Sequence, residues 1–381
     1  MQILNSVEGL ASSAAGYILP FLFVLTVVVF FHELGHFLVA RWCGVAVKVF
    51  SIGFGPELFG FNDRKGTRWR LSLIPLGGFV KFLGDENEAG VPDRDALSGL
   101  SAEEREKTFA AKSVWRRAAI VAAGPVANFI LAILIFAGIF SLYGRQITTP
   151  RVDTVLAGTP AERAGFKPGD VILSIDGRKI GNFTDLQRIV SISTGAQLAV
   201  VVARGGQEVK LLATPERQTI PDNFGNKHQV GVLGIQRNTL GDNTQVERFS
   251  VPAAFGLAVS ETWFVTERTV SYLIGVVAGR ESADQLGGPI RVAEVSAQVA
   301  TIGFVALINL AAILSISIGL INLFPVPMLD GGHLLFFAVE AVRGRPLSDR
   351  AQDIGFRVGF AAVVMLMIFA TWNDIIHLSS L

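Results

Sequence analysis

Cysteine is almost missing from these 381 residues: Cys43 stands alone, which excludes an intrachain disulfide framework and any zinc site built from thiolates. Ligands for a metal would have to come from Asp, Glu or the five histidines. Charge is also scarce, at 17% of residues against 50% hydrophobic. That is too apolar for an ordinary soluble enzyme and too charged for a chain embedded throughout, so a few spanning helices plus a water-soluble domain are expected. There is no basic excess; a net charge of +1 gives no support for nucleic-acid binding, which leaves a basic patch. Lys and Arg are absent from Met1 to Gly16, where a cleaved signal peptide would open with positive charge. They are absent again after Trp372.

What is present is organised by four long apolar runs, Tyr17–Trp42, Trp115–Tyr143, Ile302–Phe324 and Ile354–Trp372, each near the roughly 20 residues a spanning helix needs. The loop between the first two carries Lys48, Arg64, Lys65, Arg68, Arg70, Lys81, Lys112, Arg116 and Arg117, and the loop between the last two carries Arg343, Arg345 and Arg350. Positive residues stay on the cytoplasmic side, so both loops are expected there, with both termini and the long 145–300 connection outside. Within that connection, Phe249 to Ala300 is amphipathic and interrupted by Glu261, Glu267, Arg268 and Arg280. Helices lying along the outer membrane surface are expected, with 255–277 the nearest approach to a fifth span.

The first apolar run contains His32-Glu33-Leu34-Gly35-His36. On a helix this puts two imidazoles one turn apart on the same face, a spacing suited to two ligands of one zinc with the intervening Glu as general base. The plainer reading is a histidine pair packed in a polar core. Ionisable side chains at membrane depth are costly and are functional candidates by default. His32 follows Pro20 by 12 positions, about 18 Å along a helix, which places the site in the cytoplasmic half of a core about 30 Å thick.

A catalytic zinc typically keeps three protein ligands and an open position. The third apolar run ends in Asn322-Leu323-Phe324-Pro325-Val326-Pro327-Met328-Leu329-Asp330-Gly331-Gly332-His333. Its two prolines break the helix and free backbone groups at that depth. Asp330 is the expected third ligand, His333 its competitor, and a helix N-cap is the alternative role for Asp330. Asn322 is a candidate substrate contact, with interhelical packing as its other reading. Gly124-Pro125-Val126-Ala127-Asn128 in the second run reads chiefly as a close-packing surface for the motif helix.

Between the first two runs, Gly44 to Gly84 alternates apolar and polar residues with glycines between, which predicts short strands and turns. Its phenylalanines make it too greasy for a free hairpin in water. A sheet dipping toward the membrane beside the metal site is expected, with Gly53 a candidate substrate contact and the region Val45–Leu73 able to hold an unwound peptide as an added strand. A purely structural hairpin fits the composition equally. Asp85 to Thr108 reads as a polar loop with a short helix.

Residues 148–237 change character to short β-rich runs punctuated by glycine. Strands are predicted at Val152–Leu156, Val171–Ile175, Leu198–Val202, Glu208–Ala213 and Val230–Gln236, with helices at Pro160 and Phe183–Ser191, a small partly open barrel. The string, with Ala164–Gly169 and Ile175–Gly177, resembles a PDZ domain of the circularly permuted kind found on bacterial proteases. That resemblance implies that Leu233-Gly234-Ile235 is the loop whose N–H groups receive a peptide C-terminus.

Taken together, His32-Glu33-x-x-His36, Gly124-Pro125-x-x-Asn128, the PDZ-like insertion and Asn322-x-x-Pro325-x-Pro327-x-Leu329-Asp330-Gly331 resemble the site-2 protease family of intramembrane zinc metalloproteases, in particular the bacterial regulator-of-sigma-E protease type. The resemblance implies a polytopic α-helical membrane protein with a membrane-associated β sheet and an inserted extracytoplasmic PDZ-like α+β domain. It implies one Zn2+ held by His32, His36 and Asp330, Glu33 as base, and Asn322 against substrate. The substrates it implies are single-pass membrane proteins cut within their transmembrane segments, such as an anti-sigma factor in an envelope stress response, or signal-peptide remnants, in the bacterial inner membrane. One PDZ-like domain is found where the sigma-E type has two in tandem. The division expected is 1–43 (first transmembrane helix), 44–114 (β region and cytoplasmic loop), 115–144 (second transmembrane helix) and 145–240 (PDZ-like domain). Surface helices follow at 241–300, the third transmembrane helix at 301–330, a cytoplasmic loop at 331–353 and the fourth transmembrane helix at 354–381. The competing functions are a metal-ion transporter, disfavoured by few spans and no inverted repeat, and an inert PDZ scaffold.

Overall fold

The computed structural model describes residues 2–85, 99–221, 227–237, 244–279, 283 and 287–379. The chain opens with α1 (Gln2–Trp42), one continuous helix that carries Pro20 inside it. Strands β1 (Val47–Asn62) and β2 (Arg68–Phe82) follow. A short helix, α2 (Ala102–Glu106), comes next, started by a capping box in which Ser101 and Glu104 satisfy each other's backbone N–H. Helix α3 (Val114–Leu142) then runs through Pro125.

β1 and β2 do not form the simple hairpin their alternation suggests. Val49, Phe50, Ser51 and Ile52 face Lys81, Val80, Phe79 and Gly78 on one side, and Arg68, Trp69, Arg70 and Leu71 on the other. Phe59 to Asn62 then pair with Leu71 to Arg68. The result is four rows, with Gly78–Phe82 at one edge and no further described strand paired to it. Gly53 makes the bend possible: its φ is +85°, and a Cβ there would lie 2.7 Å from the Ile74 carbonyl oxygen. The sheet packs on the end of α1 through Phe37, Ala40, Val47 and Phe50, joined by Ile120 of α3. Arg70 lies over Phe79 and donates from Nε to the buried Ser51 hydroxyl, so the sheet's interior polar groups have partners.

The turn between the strands is tied to the helix by Asp63. Its carboxylate accepts from the Lys65 and Thr67 N–H groups, the Trp69 indole and Arg41 at the end of α1. Burial opposes its ionisation, but the bonds from Thr67, Trp69, Arg41 and Lys65 outweigh burial and hold the carboxyl at about 2. A folded pKa below the unfolded value of about 3.9 contributes stability that is complete above that pH and is lost as pH falls toward 2, here about 2 kcal/mol. Thermal unfolding of the wild type and Asp63→Asn should therefore differ most above pH 4 and converge near pH 2; a gap independent of pH would refute this.

The second compact unit comprises Gly138–Ala254 and Val270–Glu281. Its elements are β3 (Arg145–Thr148), β4 (Thr154–Val155), α4 (Pro160–Arg163), β5 (Val171–Ile175), β6 (Arg178–Lys179) and α5 (Phe183–Ile192). Then come β7 (Leu198–Arg204), β8 (Gln207–Ala213), β9 (Glu216–Pro221), β10 (Lys227–Val232), β11 (Ile235–Gln236) and β12 (Thr244–Glu247). The main sheet has the order β6-β5-β7-β8. Ile172 and Ile175 of β5, on either side of a register irregularity, and the alternate residues Val200 and Val202 of β7 are fully buried against Val152, Phe166 and Leu186. Asn182 caps α5 by accepting from Asp185 N–H. The expected strand at 230–236 is broken in two at Leu233-Gly234, and β9 pairs with β10.

The remaining helices are α6 (Val251–Val277), α7 (Pro289–Ile302), α8 (Phe304–Asn322), α9 (Asp330–Arg343) and α10 (Asp349–Ser379). Among described residues four stretches are long and apolar enough to cross a membrane: Gly16–Trp42, Val114–Leu142, Phe304–Asn322 and Arg350–Ile376. α6 is a single helix but is not one of them. Val24 and Val28 of α1 pack on Leu307 and Ala311 of α8. Trp42, Trp115 and Trp372 stand exposed near span ends, where amphipathic rings prefer the interface. The one acidic side chain deep in α10, Asp374, accepts from the Gly288, Ile290 and Arg291 N–H groups. It thereby caps α7, whose own N-cap residue, Gly288, has no side chain to do so.

Candidate metal centre

The motif helix, α3 and the start of α9 bring three ligand atoms together. His32 Nε2 and His36 Nε2 lie 3.2 Å apart. Asp330 Oδ2 lies 3.2 Å from the first and 3.6 Å from the second. Zinc bonds His nitrogen and carboxylate oxygen at about 2.0–2.2 Å, so the edges of its tetrahedron measure about 3.3–3.6 Å. The three observed separations, 3.2, 3.2 and 3.6 Å, describe one face of such a tetrahedron. Asp330 Oδ2 is fully buried and has no hydrogen-bond partner within bonding geometry, a costly state for a carboxylate oxygen unless a cation meets it. The residues present therefore fit a zinc ion, and no other group of three His, Cys, Asp or Glu side chains among the described residues does so.

Each ligand is aimed by its surroundings. The i, i+4 spacing puts both imidazoles on one face of α1. His36 Nδ1 lies 2.9 Å from the Ile120 carbonyl oxygen of α3, which can only accept, so Nδ1 carries the ring proton and Nε2 is left with its lone pair. His32 Nδ1 faces the amide of Asn128, also on α3, at 3.2 Å. Gly124 lies between these contacts: a Cβ there would sit 2.2 Å from His36 Nε2 and 2.9 Å from His32 Cε1. Asp330 is the first residue of α9, with Leu329 at the N-cap and no side-chain cap. Its carboxylate turns to the histidines instead of capping its helix, and the helix N-terminus favours its negative charge. α9 itself is anchored to α3 by the Arg117–Glu340 ion pair, with the Arg117 guanidinium over Phe337.

A cavity of about 290 Å3 opens on this group. His32, Glu33, His36, Asp330, Asn322 and His333 all line it. Glu33 is half-buried, and Gly78 comes against it closely enough that a Cβ would lie 2.9 Å from Glu33 Cγ. Gly78, Phe79, Val80 and Phe82 form one wall, so the free edge of the sheet borders the metal site. Met328, on the cavity and two residues before Asp330, holds φ +91°, a conformation a non-glycine residue adopts only under constraint from its neighbours.

Not every expected contact arrives. Gly53 does not line the cavity; its role in the structure is the bend of β1. His333 lines it but packs at a tilt against Phe337 and Phe356 and is not in the three-ligand group. Leu233, Gly234 and Ile235 line a separate groove of about 220 Å3 with Leu186 and Val190 of α5. The sequence reading of Gly124–Asn128 as a packing surface for the motif helix holds, and the structure adds the Ile120 carbonyl at His36, the room Gly124 leaves for the rings and the Asn128 amide at His32. The sign was there, since 120, 124 and 128 recur every fourth residue along one face of α3.

Comparison with known proteins agrees with this chemistry. A model of peptidase family M50 matches residues 20–366. A protein of Agrobacterium fabrum named "Putative zinc metalloprotease" is 52% identical, covering 98% of this chain and 99% of its own length. One of the same description from Rhizobium meliloti is 51% identical over 94% of this chain and 96% of its own. "Metalloprotease MmpA" of Caulobacter vibrioides is 43% identical over 93% and 94%. With four apolar helices, a ligand set of zinc geometry and a match across nearly its full length, the chain belongs to peptidase family M50, the site-2 protease family, and is a multi-pass zinc metalloprotease of the membrane.

Proposed function

We propose that the protein cuts peptide bonds inside the transmembrane segments of single-pass membrane proteins, with His32, His36 and Asp330 as zinc ligands and Glu33 as general base. The observation that carries this is the meeting of the three ligand atoms in a cavity bordered by both Glu33 and the sheet edge Gly78–Phe82. Zinc, when bound, supplies a Lewis acid that polarises the scissile carbonyl and acidifies water. Glu33 accepts the proton of the attacking water and returns it to the leaving nitrogen as the C–N bond breaks. Asn322, at the end of α8 and on the cavity wall, offers its amide to the substrate backbone.

A transmembrane helix hides its carbonyls in its own i→i+4 bonds, so it must unwind before it is cut. Edge row Gly78–Phe82 is the place for the unwound peptide, added as a further strand. This moves the expected docking site out of Val45–Leu73, whose rows 49–52 and 68–71 are already paired on both sides. Ser51 and Ser72 inside the sheet bond each other, so neither of these buried hydroxyls is left unpaired.

The unit between α3 and α6 supports the PDZ-like reading: the groove between α5 and β10, floored by Leu233, Gly234 and Ile235, suits the C-terminus of a peptide on the extracytoplasmic side. In this reading 145–240 is the PDZ-like domain, α6 and α7 lie along the outer surface, and the chain sits in the bacterial inner membrane. An anti-sigma factor released in envelope stress is the substrate type this arrangement serves.

The test is cleavage of a purified model single-pass protein by the detergent-solubilised chain. Products should map inside the apolar segment, disappear with a chelator and return with zinc. Cuts confined to the water-exposed part would overturn the proposal. Asp330→Ala should lose zinc and activity together; stoichiometric metal in that variant would transfer the third ligand position to His333.

A further inference from the structure

Asn128 is fully buried, and its surroundings account for only part of its amide. The backbone carbonyl accepts from the Ser315 hydroxyl of α8 at 2.9 Å. Nδ2 lies 3.2 Å from His32 Nδ1. Among the described residues Oδ1 is buried with no hydrogen-bond partner, and an orphaned buried acceptor is destabilising. An apolar residue would fill the same space in an apolar bundle without that cost, so the amide must do something at His32.

What it can do follows from the single proton of a neutral imidazole. The group that faces His32 Nδ1 is the Asn128 amide, with Nδ2 at 3.2 Å, and an amide offers a donor at one end and an acceptor at the other. A metal at Nε2 needs the lone pair there, so the proton must be on Nδ1, and Nδ1–H then faces a donor. Turning the amide by 180° exchanges its ends and presents Oδ1 to Nδ1–H.

We propose that Asn128 is a positioning residue of the metal centre: its amide accepts the Nδ1–H of His32 and fixes the tautomer whose Nε2 faces the metal. It is the counterpart of the Ile120 carbonyl at His36. Partners of this kind orient ligating imidazoles and raise their basicity, and removing one typically weakens metal binding about 10–100-fold. The inference rests on the reading of His32 as a ligand.

The test measures zinc affinity by chelator competition on the full chain in detergent, for wild type, Asn128→Leu, Asn128→Asp and His32→Ala. Asn128→Leu should bind zinc about 10–100-fold more weakly. Asn128→Asp, which keeps an acceptor at His32, should stay within a few-fold of wild type, and His32→Ala should lose tight binding. Wild-type affinity in Asn128→Leu overturns the inference while leaving the ligand reading intact if His32→Ala fails to bind. Wild-type affinity in His32→Ala overturns the ligand reading itself. The 15N spectrum of histidine-labelled, zinc-loaded wild type tests the same point without any variant having to fold: the His32 ring proton is expected on Nδ1, exchanging slowly, and a proton on Nε2 refutes the inference.

Discussion

Glu33→Gln should keep one zinc per chain and cleave a model transmembrane substrate about 10²–10⁴-fold more slowly than wild type. Gln has the shape of Glu, so the packing of α1 on α3 and the sheet is undisturbed, and none of the three ligand atoms belongs to it. What the change removes is a group that can take a proton at neutral pH. Glu33 occupies the same cavity wall as the three candidate ligands, and in the proposed mechanism His32, His36 and Asp330 hold the metal. His333 is turned toward the rings of Phe337 and Phe356. Metal content by mass spectrometry and cleavage measured on the same preparation separate the outcomes. Loss of zinc would make Glu33 a ligand, and undiminished cleavage would remove it from the mechanism.

How far such a site can be read from sequence depends on whether its determinants are local. His32, Glu33 and His36 share one helix, so their geometry follows from a 3.6-residue period, and the apolar runs announce their own helices by length. Asp330 is distant in sequence but marked by the prolines at 325 and 327, which stop α8 and start α9 at the right depth. The sheet was only half legible. Alternation predicts strands, yet row 49–52 takes partners from both ends of β2, and no local pattern says which row is left at the edge. Strands β9 and β12 went unread because their polar sequences lack strict alternation. Asp374 was unread for another reason: a carboxylate in an apolar run is explained only by the three N–H groups of a helix 83 to 86 positions away.

Gly124 shows the limit most sharply, and it carries the second large prediction. On helix propensity alone, Gly124→Ala should stabilise α3 by about 1 kcal/mol, and its backbone is of a kind alanine readily adopts. The structure requires the opposite outcome for function. An alanine methyl would lie 2.2 Å from His36 Nε2, 2.5 Å from His36 Cε1 and 2.9 Å from His32 Cε1, inside contact distance of both rings. Imidazoles are rigid, His36 is held from behind by the Ile120 carbonyl, and α1 is already tight on α3, where a Cβ at Gly35 would lie 2.2 Å from the Ala123 carbonyl oxygen. The rings cannot withdraw without giving up the ligand geometry, and the helices cannot part without unpacking. The expected variant keeps its helix content by circular dichroism, retains well under one zinc per chain and cleaves at least about 100-fold more slowly, as loss of ligand orientation implies. Gly124→Ala with full zinc and full activity would show that the histidines are not held where the structure places them, and the tetrahedral face they form with Asp330 would lose its support.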